Sequence, residues 1–572
     1  MSSADTKDKL LEGSFIACRD GFIAIAVFSM FINILVLTAP LYMMQVFDRV
    51  LMSRSGETLL MLTAIAAIAL LVMAGLEVVR NNLMIRLSHW LDKRLGSATL
   101  SASVHLSLHT QKDPNIQGLR DLATVRTFLT GPGVFPLLDA PWTPIFLAVI
   151  FILNPLLGWI SLIGAVCLFS LALVNEFNTR EPLQQANEAS RKAMIQAEAS
   201  TRNAAAIEAM GMMPNIIQRW DTHNEHSLEL QAKASSRSGA ISACSKFARM
   251  LLQIGIMGAG AWLVIHNEML PGGMIAASIL MGRALSPVEQ AIGTWKNLIA
   301  ARSAYHRVKP LLASAPARGG SMAMPRPKGV LVAEGVAFRY PGAKEPVIRG
   351  VNFRLEAGEV LGLIGPSAAG KTTLAQLIVG NLEPNAGSIR LDGVDIAKWE
   401  SDDRGKYLGY LPQDVELFSG KVRENIARMA EGETDSVIEA AQFAGIHEMV
   451  LDLPDGYETE IGHGGSILSG GQRQRVALAR SAYGKPCLMV LDEPNASLDN
   501  NGEEALLKMI GGLKAQGVTV IIIAHRPNVL QFVDKILVIR DGAVQAFGPR
   551  QEILARLKGE TPPAAIKSEE GA

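Results

Sequence analysis

Cysteine is scarce in this 572-residue sequence. Cys18, Cys167, Cys244 and Cys487 lie far apart, with no CxxC pair and no Cys/His spacing. Such thiols read as ordinary buried residues, which argues against a disulfide framework or a thiolate metal site. Net charge is lacking too: 54 basic residues face 54 acidic ones, so bulk electrostatics gives no reason to expect a nucleic-acid partner. A removable signal peptide is also disfavoured. The first 20 residues are largely polar and charged, with no cleavage site after a short apolar core, so the first apolar run is expected to stay in the membrane. The length is too great for one core and sets a prior of about two to four domains.

Long charge-free runs are present, all in the first half. Between Asp20 and Asp48 lie 27 residues without Asp, Glu, Lys or Arg, and between Glu57 and Glu77 another 19. About 20 residues suffice to cross a bilayer as a helix. Ala140 to Asn175 is charge-free for 36 residues, too long for one span. Asn154-Pro155 breaks it, because proline has no amide hydrogen and disfavours helix in the residue before it; a tight hairpin of two spans is expected. Met250–Asn267 supplies a fifth span. A sixth runs from Pro271-Gly272-Gly273 to about Ile292, tolerating Arg283 and Glu289. The alternative, a soluble helical bundle, has no use for charge-free runs of this length.

Basic residues orient the spans. The short connections hold two, Arg49 and Arg54, whereas 80–126 holds seven and 176–249 holds nine. The positive-inside rule then places the long segments and both termini in the cytoplasm. Within 176–249 there is no proline from Leu183 to Met213, and the run is rich in Ala, Glu, Gln and Arg, which predicts a long helix bending near Pro214. Segments 1–20, 21–309, 310–329, 330–558 and 559–572 read as a cytoplasmic N-terminal segment, a membrane domain, a Pro/Gly/Ala-rich linker, a soluble α/β domain and a disordered tail.

The soluble part carries the chemistry. Val360–Ile364 is a short apolar run entering Gly365-Pro366-Ser367-Ala368-Ala369-Gly370-Lys371-Thr372, and a helix opens at Thr373. Strand, G-x-x-x-x-G-K-[ST] loop and helix together cradle a nucleotide's phosphates. Amide hydrogens and a helix N-terminus face the anion, Lys371 reaches the outer phosphates, and Thr372 offers its hydroxyl to Mg²⁺. ATP and Mg²⁺ are therefore the expected cofactors. A second apolar run, Cys487–Leu491, delivers Asp492 and Glu493 to a strand end, where ligands of parallel sheets bind. Asp492 is expected to hold the metal through water, and Glu493 to orient or deprotonate the attacking water; the bland alternative is a strand cap. Gln413 can reach metal and water. His525, after the strand 518–524, can contact the γ-phosphate, although a lone histidine after a strand is usually a surface residue. Tyr340 is the ring on which adenine stacks, or else core packing. A glycine-rich string, Leu468-Ser469-Gly470-Gly471-Gln472, begins 103 residues after Gly365 and has no evident structural task.

These motifs, in this order over about 330–550, resemble the ATP-binding cassette of ABC transporters. By that resemblance Ser469, Gly470, Gly471 and Gln472 belong to a signature that closes over ATP held by the other subunit's loop, with Asp499 at the dimer seam. Ala368 and Ala369 replace the commoner Gly-Ser; the amide nest survives unless position 368 demands positive φ. Six spans followed by one cassette resemble the ABC exporter fold, a membrane α-helical domain plus an α/β P-loop nucleotide-binding domain, working as a homodimer. Pro40–Leu51, Asp139-Ala-Pro-Trp142-Thr-Pro144 and Gly273–Pro287 look like the inner-membrane component of type I secretion systems, on the branch exporting proteases, lipases and RTX-type proteins. The short segment before the first span implies no N-terminal peptidase domain. The resemblance further implies an unfolded polypeptide substrate with a C-terminal signal, a membrane fusion protein and an outer-membrane duct. Asp139 and Trp142, with Pro141 and Pro144, are candidates for the substrate path, since an ionisable group and two kinks are costly against lipid; a helix cap at the interface is the alternative for Asp139. A lipid or drug flippase of the same fold stays open. An ATP-gated regulator without hydrolysis is disfavoured by Glu493 and His525. Cassette contacts are expected near 100–120 and 205–225.

Overall fold

The computed structural model describes residues 19–109, 117–131, 133–314, 325–524 and 528–557. The chain divides into two compact units, one up to Ala317 and one from Arg318 onward.

The first unit is entirely helical among the described residues. Five helices are long and apolar enough to cross a membrane: Arg19–Ser53, Gly56–Leu108, Phe135–Leu153, Pro155–Arg202 and Met213–Ile265. The sixth expected span is also a helix, Pro271–Ala313, but it falls short of the others in apolarity. Its first turns bury Gly272, Gly273, Ala276, Ala277, Ser278 and Ala284. Small residues let neighbouring helices approach closely, so this helix is surrounded by protein and needs less hydrocarbon surface of its own. Glu289 is paired with Arg249 at 2.7 Å. The same helix runs on through Pro310 to Ala313, past the start expected for the linker.

The hairpin forms at Asn154-Pro155. Asn154 is extended, its side chain accepts from the Leu156 amide at 2.9 Å, and Pro155 occupies the first helical position, where its missing N–H costs nothing. Beyond it the chain breaks twice rather than bending once: at Asn203, and at 210–212, where Gly211 has φ 62°. Pro214 opens the next helix instead of kinking it.

The three strings that carry the secretion resemblance are stitched to this architecture. The Asp48 carboxylate accepts from the Gly272 amide at 2.7 Å, at the N-terminus of Pro271–Ala313. A Cβ at Gly272 would collide with that carboxylate. Thr143 Oγ1 donates to the Ala284 carbonyl at 3.1 Å.

The second unit is α/β. Strands β1 (Leu331–Phe338), β2 (Ile348–Leu355), β4 (Ala386–Leu391) and β5 (Val394–Asp395) make an antiparallel sheet ordered β2-β1-β4-β5. The second sheet runs β10-β9-β3-β8-β7-β6, with β3 (Val360–Ile364), β6 (Leu408–Leu411), β7 (Leu488–Asp492), β8 (Thr519–Ile523) and β9 (Lys535–Arg540) parallel and β10 (Ala543–Pro549) antiparallel at the edge. All five residues of β7 and of β8 are buried, as expected of central parallel strands covered on both faces. One apolar core fills the space between the sheets and a second lies under the helices that follow β6 and β7.

Candidate functional site

The C-terminal ends of β3 and β7 set the site. β3 delivers residues 365–370, and the helix Lys371–Ile378 starts on Gly370, whose φ is 96°. Gly365 admits no side chain, since a Cβ there would collide with the Ile539 carbonyl oxygen. Ala368 adopts φ 63°. Position 368 does demand the left-handed region, and an alanine there carries a strain of about 1–2 kcal/mol that glycine would not.

A cavity of about 310 Å³ opens over this loop, lined by Tyr340, Ser367, Lys371, Thr372, Gln413 and Glu493 together with Val347, Ala368, Gly370 and Thr373. Residues up to 153 positions apart in sequence thus meet around one space, as the motifs require. The Lys371 ammonium donates to the carbonyls of Gly365 and Pro366, each at 2.9 Å. Burial lowers its pKa, opposed by the charges of Glu493 and Asp492. Tyr340 packs edge-on against Phe338 with centroids 4.9 Å apart, and its hydroxyl lies 3.4 Å from that of Thr373. It is thus both a neighbour of the core and part of the cavity wall.

Asp492 sits beneath the cavity, 1% exposed. Both its carboxylate oxygens are buried without a hydrogen-bond partner. Burial pushes its pKa up to about 6, with the Thr372 hydroxyl and Lys371 pulling down and Glu493 and Asp414 pushing up. The Thr372 hydroxyl is thus near enough to favour the charged form while outside hydrogen-bond geometry. A buried carboxylate with no donor fits a bound cation, and Thr372, Gln413 and Asp492 each carry an oxygen of the kind Mg²⁺ prefers. Among the described residues no group of three His, Cys, Asp or Glu side chains competes for a metal. Glu493 holds φ 48° and its amide donates to the Ile523 carbonyl at 3.1 Å. Such strain in a glutamate at a cavity wall is the kind stored at functional sites. His525 lies outside the described residues; the strand before it pairs Ile523 with Asp492.

Ser469–Gln472 do not line the cavity. The string has a structural task after all. Ser469 Oγ accepts from the Gln472 amide at 3.3 Å and Gln472 Oε1 accepts from the Ser469 amide at 2.9 Å, a capping box that opens the helix Gly470–Ala482. Asp499 likewise caps the helix Asn500–Ala515 by accepting from the Gly502 amide at 2.8 Å, and faces Arg475 at 3.8 Å. Sequence reasoning passed over Gln474. It is 4% exposed. Its amide nitrogen donates to the carbonyls of Glu493 and Pro494 at 3.2 and 2.7 Å, and its oxygen accepts from the Ser497 amide at 3.0 Å. It staples the capped helix to the turn bearing Glu493. Only its place two residues after Gln472, one turn inside an N-capped helix, could have flagged it.

In the helical unit the Asp139 side chain makes no cap to the turn Ala140–Trp142 that follows it, which removes the interface-cap alternative. It pairs with Arg80 at 3.1 Å and accepts from Asn33 at 3.0 Å. Arg80 also donates to Ser29 Oγ at 3.1 Å and lies over the Phe135 ring. Trp142 packs at the margin of an apolar core containing Phe146, Leu280 and Ala284.

Comparison with known proteins agrees with this geometry. Residues 22–287 match the ABC transporter transmembrane region and 348–496 match the ABC transporter family. The chain is 42% identical over 543 residues to the type I secretion system ATP-binding protein PrsD of Rhizobium meliloti (strain 1021), covering 94% of this chain and 93% of that one. It is 29% identical over 553 residues to the leukotoxin translocation ATP-binding protein LktB of Mannheimia haemolytica, covering 95% and 77%. In fold it superposes on a bacterial Atm1-family ABC exporter with ATP bound, with TM-score 0.81 at 21% identity over 96% of this chain and 99% of that one. A multi-pass helical unit followed by a P-loop cassette, with this relative over nearly its whole length, places the chain in the ABC transporter family, among the ATP-hydrolysing transporters of type I secretion.

Proposed function

We propose that two copies of this chain form an exporter that moves an unfolded polypeptide across the bacterial inner membrane, driven by ATP. The carrying observation is the composition of the nucleotide cavity. It gathers the phosphate loop, Gln413 and Glu493 but none of Ser469–Gln472, so the chain supplies two halves of a site that a second copy completes. Lys371 neutralises the outer phosphates, and the amides of 365–372 hold them. Thr372, Gln413 and Asp492 would hold Mg²⁺, which would supply positive charge to screen the phosphates. Glu493 receives the proton of the attacking water, and His525 steadies the γ-phosphate. Ser469 and its neighbouring amides, presented by the capping box, close on the nucleotide of the opposite copy, with Asp499 at the seam. Tighter binding of ATP to the closed pair biases the helical units toward one state, and hydrolysis releases it.

The names of the relatives, a type I secretion protein and a leukotoxin translocator, support a protein cargo; the family resemblance further implies a C-terminal signal on it, a membrane fusion protein and an outer-membrane duct. Asp139 and Trp142 remain the candidate margin of its path. The cassettes and both termini face the cytoplasm, as the basic loops argue.

Glu493→Gln tests the chemistry: phosphate release falls by about 10²–10⁴-fold while ATP binding is kept. Unchanged turnover removes Glu493 from the proposed role. Deleting the gene and comparing secreted proteins tests the cargo. Loss of one or two extracellular proteins supports export, whereas an unchanged secretome with altered lipid or drug handling favours a flippase.

A further inference from the structure

Glu493 lines the nucleotide cavity from left-handed backbone, φ 48°, a conformation that persists only where the surroundings hold it. Its aim therefore depends on the two peptide planes that flank its Cα. The plane before it is anchored to the sheet, where the Glu493 amide donates to the Ile523 carbonyl at 3.1 Å. The plane after it cannot be held through an amide, because Pro494 has no amide hydrogen. That leaves the Glu493 carbonyl oxygen. It accepts from the Ala496 amide at 3.2 Å, a bond within the same turn, and from Gln474 Nε2 at 3.2 Å, which comes from the helix Gly470–Ala482.

The Gln474 carboxamide is fully used. Nε2 also donates to the Pro494 carbonyl at 2.7 Å, and Oε1 accepts from the Ser497 amide at 3.0 Å. Two acceptors on one side and a donor on the other fix which atom is nitrogen. At 4% exposure these bonds are not remade by water when lost. The same helix meets the segment Glu493–Asp499 twice more: a Cβ at Gly471 would lie 3.0 Å from the Ser497 carbonyl oxygen, and Arg475 faces Asp499 at 3.8 Å. Of these three contacts only that of Gln474 reaches the Glu493 plane. Leucine would fill its place with no polar group, glutamate would bring no donor while ionised, and asparagine is one methylene short. We propose that Gln474 is a positioning residue for hydrolysis, its carboxamide fixing the peptide plane after Glu493 and so the aim of the Glu493 carboxylate at the attacking water. The proposal rests on the reading in which Glu493 receives that water's proton.

The test uses the full-length protein in lipid nanodiscs, with turnover counted per bound nucleotide so that loss of folded protein does not register. In Gln474→Leu, kcat falls by up to about 10²-fold, while KM, ATP affinity and ATP-driven approach of the cassettes, read by a fluorescent pair, are kept. Gln474→Glu gives a second readout and stands alone if the leucine variant does not fold. Burial beside two carbonyl oxygens raises the pKa of the new carboxyl, and its protonated form recovers one donor. Its turnover, relative to the parent at the same pH, therefore rises as pH falls from about 8.5 to 6.5, whereas that of Gln474→Leu does not. With Glu493→Gln already in place, Gln474→Leu causes no further loss. Full turnover in Gln474→Leu, no recovery of Gln474→Glu at low pH, or losses that multiply in the double variant overturns the proposal. Full turnover in Glu493→Gln alone overturns the underlying reading of Glu493 instead, without any change at position 474.

Discussion

Two aspartates, one in each unit, were candidates for function, and their surroundings differ sharply. Asp139 is satisfied: Arg80 and Asn33 both point at it, and Arg80 is itself tied to Ser29. Asp492 is buried with no donor on either oxygen. A partnered carboxylate between helices holds those helices in register. An orphaned one at the edge of a cavity stores an unmet electrostatic demand that a cation answers. The same residue type therefore has its charge met by side chains in one unit and left unmet in the other, a difference that lies in the partners alone.

The sharpest way to break this contrast is to neutralise each aspartate. Asp139→Asn strands the Arg80 charge, at a cost approaching about 3–5 kcal/mol for a fully buried pair and less here because Asp139 is one quarter exposed. Thermal stability in detergent falls, ATP binding by the cassette is kept, and Arg80→Met with Asp139→Leu recovers much of the loss. If Asp139→Asn leaves stability untouched and abolishes export alone, Asp139 belongs to the substrate path rather than to the scaffold.

Asp492→Asn does the reverse. It weakens Mg²⁺-dependent turnover by about 10–100-fold, the range for groups that hold a metal through water, while the nucleotide-free protein becomes no less stable. The pH dependence has a definite sign. Because the folded pKa is raised to about 6, the native state keeps a proton that the unfolded chain releases near pH 4. The stability this group contributes is complete below about pH 4 and is lost as pH rises through 6. Melting curves without metal or nucleotide at pH 4.5 and 7 show a steeper decline in the parent than in Asp492→Asn. Parallel declines in the two proteins contradict the assignment.

Much of this was legible in the residues. The charge-free runs located helices, and Asn154-Pro155 located a hairpin, because both are local effects of solvent and backbone. The phosphate loop was legible because its spacing is its mechanism. Other features depended on tertiary context. The apolarity of Pro271–Ala313 is low because protein surrounds it. The family strings around Asp48, Thr143 and Gly273 were visible only as resemblance, and the contacts Asp48–Gly272 and Thr143–Ala284 now give two of them a packing reason. Gln474 escaped notice because its partners are main-chain groups, which carry no residue-specific signal. Ser469–Gln472 showed the converse: its capping-box pattern was in the sequence and was passed over for the functional reading.

The smallest expected effect is at Ala368, where the two units teach the same lesson about context. Left-handed backbone at 368 is fixed by the loop, not chosen by alanine. Ala368→Gly should relieve the native strain, but glycine also loosens the unfolded chain by about 0.4–1 kcal/mol. The net gain is therefore at most about 1.6 kcal/mol, which is a rise of no more than about 6 °C in the cassette's melting transition, with turnover unchanged because the amides keep their directions. A larger side chain at the same position, Ala368→Val, is destabilising, since β-branching makes positive φ an outlier. If Ala368→Gly lowers the melting temperature, native strain at 368 is smaller than the unfolded-state term. The alanine would then be the better residue for this loop despite its φ.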